Sequence, residues 1–204
     1  VQWCVISEPL NRSVHPKGAH GYGASWGGEN VSYHHNLFAH ATARTPSVAG
    51  QARERTVLMD QRNSVIFNCE HRSCDGKPSS INMVNNYYKP GPATLPAVRS
   101  RIARIDDTRA TYGFDSFWHI AGNVVEGFPE ISADNWAGGV DFEEFERGGG
   151  DGPRDFSRGA LLGEVAAEVD EVVGDARGAA GARGNFSGAA GIEFDFEETA
   201  AALD

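Results

Sequence analysis

Short apolar runs, each entered through an asparagine or another small polar residue, recur along the first 125 residues of the chain. They are Val1-Gln-Trp-Cys4-Val-Ile6, Tyr33-His-His-Asn36-Leu-Phe38, Asp60-Gln-Arg-Asn63-Ser-Val-Ile66, Met83-Val-Asn-Asn86-Tyr-Tyr88 and Ile120-Ala-Gly-Asn123-Val-Val125. Anchored on Cys4, Asn36, Asn63, Asn86 and Asn123, the runs stand 32, 27, 23 and 37 residues apart. That spacing is too uneven for helical repeats but natural for coils separated by loops of different length. The pattern predicts an all-β chain wound as a parallel β-helix. Short strands of one coil bond to those of the next at ~4.8 Å, so that one chain position stacks on itself. The anchoring asparagines then bond to one another and to turn backbone, which is a structural duty. A β-sandwich also has many short strands, but it joins them by tight hairpins, and few hairpin signals are present.

Beyond residue 146 the pattern stops. The body is expected over 1–146 and an acidic, Gly/Ala-rich tail over 147–204, with Gly148-Gly149-Gly150 near its start. Such a composition cannot build a dense core. One stretch of the tail is different: Leu161, Leu162, Val165, Val169, Val172 and Val173 fall at three- and four-residue intervals with Glu164, Glu168 and Glu171 between them. This predicts one amphipathic helix in an otherwise irregular tail.

Composition bounds the rest. A chain of 204 residues holds one sizeable core, and no apolar run is long enough to span a bilayer. Three cysteines, Cys4, Cys69 and Cys74, exclude a disulfide scaffold and a zinc cluster and leave open whether Cys69 and Cys74 pair. The net charge of −10 argues against a nucleic-acid partner. Its distribution is uneven: residues 1–125 carry 13 Lys+Arg against 9 Asp+Glu, and 126–204 carry 5 against 19, while all seven histidines lie in the first part. A mildly basic, histidine-bearing body suits an anionic ligand.

The segment richest in chemistry is SVHPKGAHGYGASWGGENVSYHHNLFAHATARTP, residues 13–46. It carries Lys17, five histidines, a glycine-rich turn around Trp26, and Arg44 two residues before Pro46. If the run at Tyr33–Phe38 stacks on that at Val1–Ile6, the loops bearing Lys17 and Arg44 leave adjacent coils and share a face. Two neighbouring cations call for an anion. His34 and His35, adjacent in an expected strand, are expected on opposite faces as stacking residues rather than as a metal pair. His20 and His40 either reach the cleft or serve as hydrogen-bonded structural residues. Trp26 either stacks on a sugar ring or plugs its loop.

This segment, together with CVISEPLN at 4–11, RNSVIFN at 62–68, NMVNNYYKPGPAT at 82–94 and ADNWAGGV at 133–140, resembles the pectate lyases, polysaccharide lyases built on a right-handed parallel β-helix. The resemblance covers most of residues 1–140 and implies eliminative cleavage of polygalacturonate, an anionic polysaccharide, by a secreted protein. Arg44 matches the first arginine of the family's R-x-P motif and so is implied as the base that removes the C5 proton. Arginine is a weak base in solution, so its neutral form must be made accessible by surrounding cations. Lys17 matches the lysine that binds the uronate carboxylate, and His20 is placed with it as substrate-binding.

The chain departs from the family pattern where further arginines follow the motif, since Ser47, Val48 and Ala49 come after Pro46; Arg53 or Arg55 is the nearest substitute in sequence. The resemblance also implies Ca²⁺, but Glu8 is the sole carboxylate ahead of Lys17, and Ca²⁺ takes roughly 6–8 oxygens. Its ligands are expected ahead of Val1, with no metal ligand in this chain, and Val1–Ile6 is expected as an exposed strand edge. The alternatives to a lyase are a carbohydrate-binding β-helix without catalysis and a purely structural solenoid.

Overall fold

The computed structural model describes residues 1–48, 58–106 and 116–142, all within one compact unit, Val1–Leu161. The expected tail helix at 161–173 and Arg53 lie outside the described residues.

The body is mostly β, with three parallel sheets visited in rotation. Strands β1 (Val5–Ser7), β4 (Leu37–Ala39), β7 (Val65–Phe67), β10 (Tyr87–Lys89) and β13 (Val124–Val125) form the first sheet. The second holds β2 (Ser25–Trp26), β5 (Ser47–Val48), β8 (Cys74–Gly76), β11 (Ala103–Ile105) and β14 (Val140–Phe142), and the third β3 (Val31–His34), β6 (Leu58–Arg62), β9 (Ser80–Val84) and β12 (Phe117–Ala121). Each strand pairs with the one three places later, which is compatible with a parallel β-helix. Among the described residues helix is limited to a 3₁₀ turn at Pro96–Val98 and one short α-helix, α1 (Pro129–Ala133).

Alternation within each strand builds the core. One inward column is Val31, Met59, Ile81 and Trp118; a second is Ile6, Phe38, Ile66, Tyr88 and Val125. In the second sheet, a Cβ on Gly76 would stand 2.1 Å from the Val48 carbonyl oxygen, and its φ is +127°, so only glycine fits there. A third column, Tyr33, Gln61, Met83 and Ile120, contains a misfit. Gln61 is fully buried, and neither amide atom has a hydrogen-bond partner. A Gln61→Met variant keeps the volume and removes the unmet polar group. Its unfolding midpoint in urea should rise, by about 1–2 kcal/mol in stability.

The apolar runs do not form single strands. Each of the later four crosses a corner, with its first half in the third sheet and its second half in the first, and the small polar residue sits at the bend; in the first run only Gln2 bridges to the third sheet, at His34. Cys4 N–H donates to Asn36 Oδ1 (3.1 Å), Asn36 N–H to Ser64 Oγ (3.2 Å), Ser64 N–H to Asn86 Oδ1 (3.0 Å), Asn86 N–H to Asn123 Oδ1 (2.9 Å) and Asn123 N–H to Asn135 Oδ1 (3.0 Å). The ladder is as expected at Cys4, Asn36, Asn86 and Asn123, but its third rung is Ser64 rather than Asn63. Asn63 occupies the preceding column, in which Trp3, His35, Asn63, Asn85 and Gly122 all have φ between +49° and +66°. A left-handed residue immediately ahead of the ladder therefore makes each bend. Asparagine and glycine enter that region readily, whereas Trp3 and His35 are held there by their neighbours.

The first pass is an edge: Val5 pairs on one side only, and Val1, Trp3 and Val5 are exposed. All three cysteines are free, so Cys69 and Cys74 do not pair.

Candidate functional site

The loop entering β2 is built by ring stacking. Asn11 fixes its neck: its Oδ1 accepts from Gly21 N–H (2.9 Å), and its carbonyl accepts from His20 N–H (3.0 Å). The His15 ring lies parallel to His20 at 4.5 Å, and His20 lies against Tyr22 at 4.1 Å. The guanidinium of Arg44 covers the Tyr22 ring at 4.3 Å from its centroid. Lys17 belongs to the same loop, its backbone N–H donating to His15 Nδ1 (3.2 Å). One line of contacts thus runs from His15 through His20 and Tyr22 to Arg44.

Arg44 is conformationally unusual. Its φ is +61°, in the left-handed region that a non-glycine residue enters at a cost of roughly 1 kcal/mol. Ala24 N–H donates to its carbonyl (2.9 Å), and a Cβ on Gly23 would come within 2.7 Å of that oxygen, so Gly23 permits the approach. The guanidinium is half-buried, and Nε has no hydrogen-bond partner.

The second cation at this face is one the sequence reading did not select. Arg72 stands with its guanidinium 6.0 Å from the Tyr22 centroid. Ser47 pairs with Asp75, so three residues back Arg44 is level with Arg72; Cys74 pairs with Ala103, so Arg72 is level with Arg101. Three successive passes therefore present arginine at one position of the bend ahead of the second sheet. Arg72 is braced by Asp75 (2.6 Å) and Arg101 by Asp141 (2.5 Å).

Crowding of positive charge is felt at His20. Its pKa is lowered from the usual value of 6.5, first by loss of solvent, then by the charges of His15 and Arg44, and least by Lys17, against an opposing hydrogen bond to the Ala19 backbone. The structure therefore brings Arg44 and His20 together, with the Lys17 loop beside them. Trp26 is elsewhere: it is buried and stacked on Tyr33 at 4.0 Å, a core residue. His40 is a bend residue whose Nδ1 accepts from Asn68 Nδ2 (2.9 Å).

His34 and His35 do not point to opposite faces. The strand ends at His34, and the left-handed turn at His35 swings its ring back, leaving the two Nδ1 atoms 2.7 Å apart, within hydrogen-bonding distance. Trp3 stacks on His35 at 4.4 Å. Both pKa values are lowered. Burial is the first cause for each; the N-terminal amine adds to it at His34, where Asp60 opposes and Arg62 assists, and His34 adds to it at His35. A histidine with a depressed folded pKa binds fewer protons than the unfolded chain, so its stability contribution is complete above about pH 6.5 and is lost as pH falls through the folded values. Urea midpoints should fall between pH 7 and pH 5, and by less in His35→Gln.

The groups gathered at Arg44 are guanidinium, imidazole and phenol. This set does not fit Ca²⁺, which takes carboxylate and carbonyl oxygens, and among the described residues no three His, Cys, Asp or Glu side chains converge. Among those residues no helix is long and apolar enough to cross a membrane. The chain matches no model of a known protein family, and a search of curated proteins finds none that matches it.

Proposed function

We propose that the chain is a right-handed parallel β-helix of pectate lyase type that cleaves polygalacturonate by β-elimination outside the cell. The observation that carries this reading is Arg44: a half-buried arginine with an unmet Nε on a strained backbone, level with Arg72 and beside His20 and the Lys17 loop. Cations at one face suit a uronate carboxylate, and charge drawn off that carboxylate acidifies the neighbouring C5 proton. Arg72 and Lys17 take the carboxylate; the neutral guanidine of Arg44 takes the C5 proton. The C5–H electron pair becomes the C4=C5 double bond, the C4–O4 bond breaks, and O4 departs with a proton from solvent. Ca²⁺ has no fitting donor set among the described residues, and the reading uses only the chain's own groups.

One observation favours a second reading. Arg44 rests on the Tyr22 ring, an arrangement that also suits a fixed cation in a binding cleft without turnover. The discriminating measurement is the ultraviolet absorbance of the unsaturated product formed from polygalacturonate. Product formation supports the lyase; binding without product supports the binding protein; neither overturns both.

A further inference from the structure

Beside the arginine row lies a shallow pocket that the proposed reaction does not use. Its lining includes Cys69, Ser73, Tyr88, Lys89, Arg99 and Arg101. It adjoins the row directly, because Ser73 follows Arg72 and Arg101 belongs to both. Two of its hydroxyls are unsatisfied: Ser73 Oγ and Tyr88 Oη have no hydrogen-bond partner, although the two residues are only 4% exposed. Leaving a buried hydroxyl unpaired costs on the order of 1–3 kcal/mol, and two in one pocket lined by arginine indicate an external acceptor. The Cys69 thiol is committed elsewhere, donating to the Arg72 carbonyl (2.8 Å). The phenol remains protonated, since burial pushes its pKa well above the usual value, and so it offers a proton rather than a charge. Two neutral donors in a pocket that arginine also lines suit an oxyanion. The pocket is open to solvent on one side and has room for only a small polar group, too little for a whole sugar ring.

We propose that this pocket holds a carboxylate of a polyuronate chain lying along the arginine row, at the level of Arg72 and Arg101. The proposal rests on the lyase or binding reading of the Arg44 face, from which it takes the polyuronate. Stacked passes are separated by ~4.8 Å, so a chain that runs along the row meets Arg44, then Arg72, then the pocket, and short oligomers do not reach it.

The test is calorimetric titration of the full chain with galacturonate oligomers of increasing length, using wild type, Tyr88→Phe and Ser73→Ala, with melting curves for each. Each variant should weaken binding of the longer oligomers about 5- to 20-fold, leave binding of the shortest unchanged, and melt no lower than wild type. Equal affinity for the long oligomers in wild type and both variants overturns the pocket alone, with a raised melting temperature in Tyr88→Phe identifying a hydroxyl that was merely stranded. A wild type that binds no oligomer overturns the reading of the Arg44 face and the pocket with it. Weakened binding at every length also overturns the proposal, because the pocket would then act through the fold.

Discussion

Arg44→Lys should lower turnover of polygalacturonate about 10²- to 10⁴-fold, the range by which a positioned proton-transfer group accelerates a reaction, while affinity for the polymer stays within about threefold. The substitution preserves the positive charge at the bend and therefore most of the attraction for a uronate. It removes the planar group that lies 4.3 Å over Tyr22 and the nitrogen, Nε, that has no partner. A flexible ammonium cannot restore that fixed plane. Loss of kcat with KM preserved is the signature of an interaction made in the transition state. The experiment measures initial rates of product absorbance together with a separate binding titration. Retained turnover removes Arg44 from the role of base. Equal losses of turnover and affinity make it a substrate anchor, in agreement with the binding reading. Arg72→Lys, by contrast, should raise KM more than it lowers kcat, because Arg72 is tied to Asp75 and acts on the carboxylate.

Much of this geometry is legible in the sequence, and its errors have a single origin. The asparagine-led runs identify a stacked β architecture because a side chain that bonds to its own equivalent on the next pass must recur once per pass. The rung after Asn36 is misplaced by one residue, since Asn63 and Ser64 are adjacent and both small and polar, and only the structure shows the hydroxyl of Ser64 accepting from Asn36 N–H. That one residue hides the second cation. From Asn36 to Ser64 is an interval of 28, the same interval that carries Arg44 to Arg72; an interval of 27 carries it to His71. Arg53 and Arg55 are the substitutes that nearness in sequence alone offers. Arg101 is harder to find, because the inserted loop around Pro96–Val98 lengthens its pass and breaks the count. The error at His34 and His35 is related: alternation between faces holds only while the strand continues, and nothing in a Tyr-His-His-Asn run announces that its second histidine is left-handed.

Asn123→Leu should be among the most damaging single substitutions in the body, with a loss on the order of 4 kcal/mol or no soluble folded protein at all. Asn123 is fully buried, and its side chain meets three passes at once. Its Oδ1 accepts from the backbone N–H and the side-chain amide of Asn86, both at 2.9 Å, while its Nδ2 donates to the Met83 carbonyl at 2.8 Å and to Asn135 Oδ1 at 2.9 Å. Leucine matches the volume but removes all four bonds; the Asn86 backbone N–H loses its acceptor, while Asn86 Nδ2 keeps the Gln61 carbonyl (3.1 Å) and Asn135 Oδ1 keeps the Asn123 N–H (3.0 Å). Each stranded buried group costs roughly 1–3 kcal/mol, and partial relaxation keeps the total below the sum of the lost bonds. Set against a typical stability of about 5–15 kcal/mol, a loss of this size approaches the threshold for folding. Cys4→Ala is the matched control. Cys4 occupies the same column at the exposed first pass, and its thiol donates only to the nearby Gln2 carbonyl (3.2 Å), so the change should stay within about 0.5 kcal/mol. Urea unfolding of the two variants beside wild type checks the pair. Equal, small effects would mean that the ladder follows from the stacking of the passes and does not hold them together.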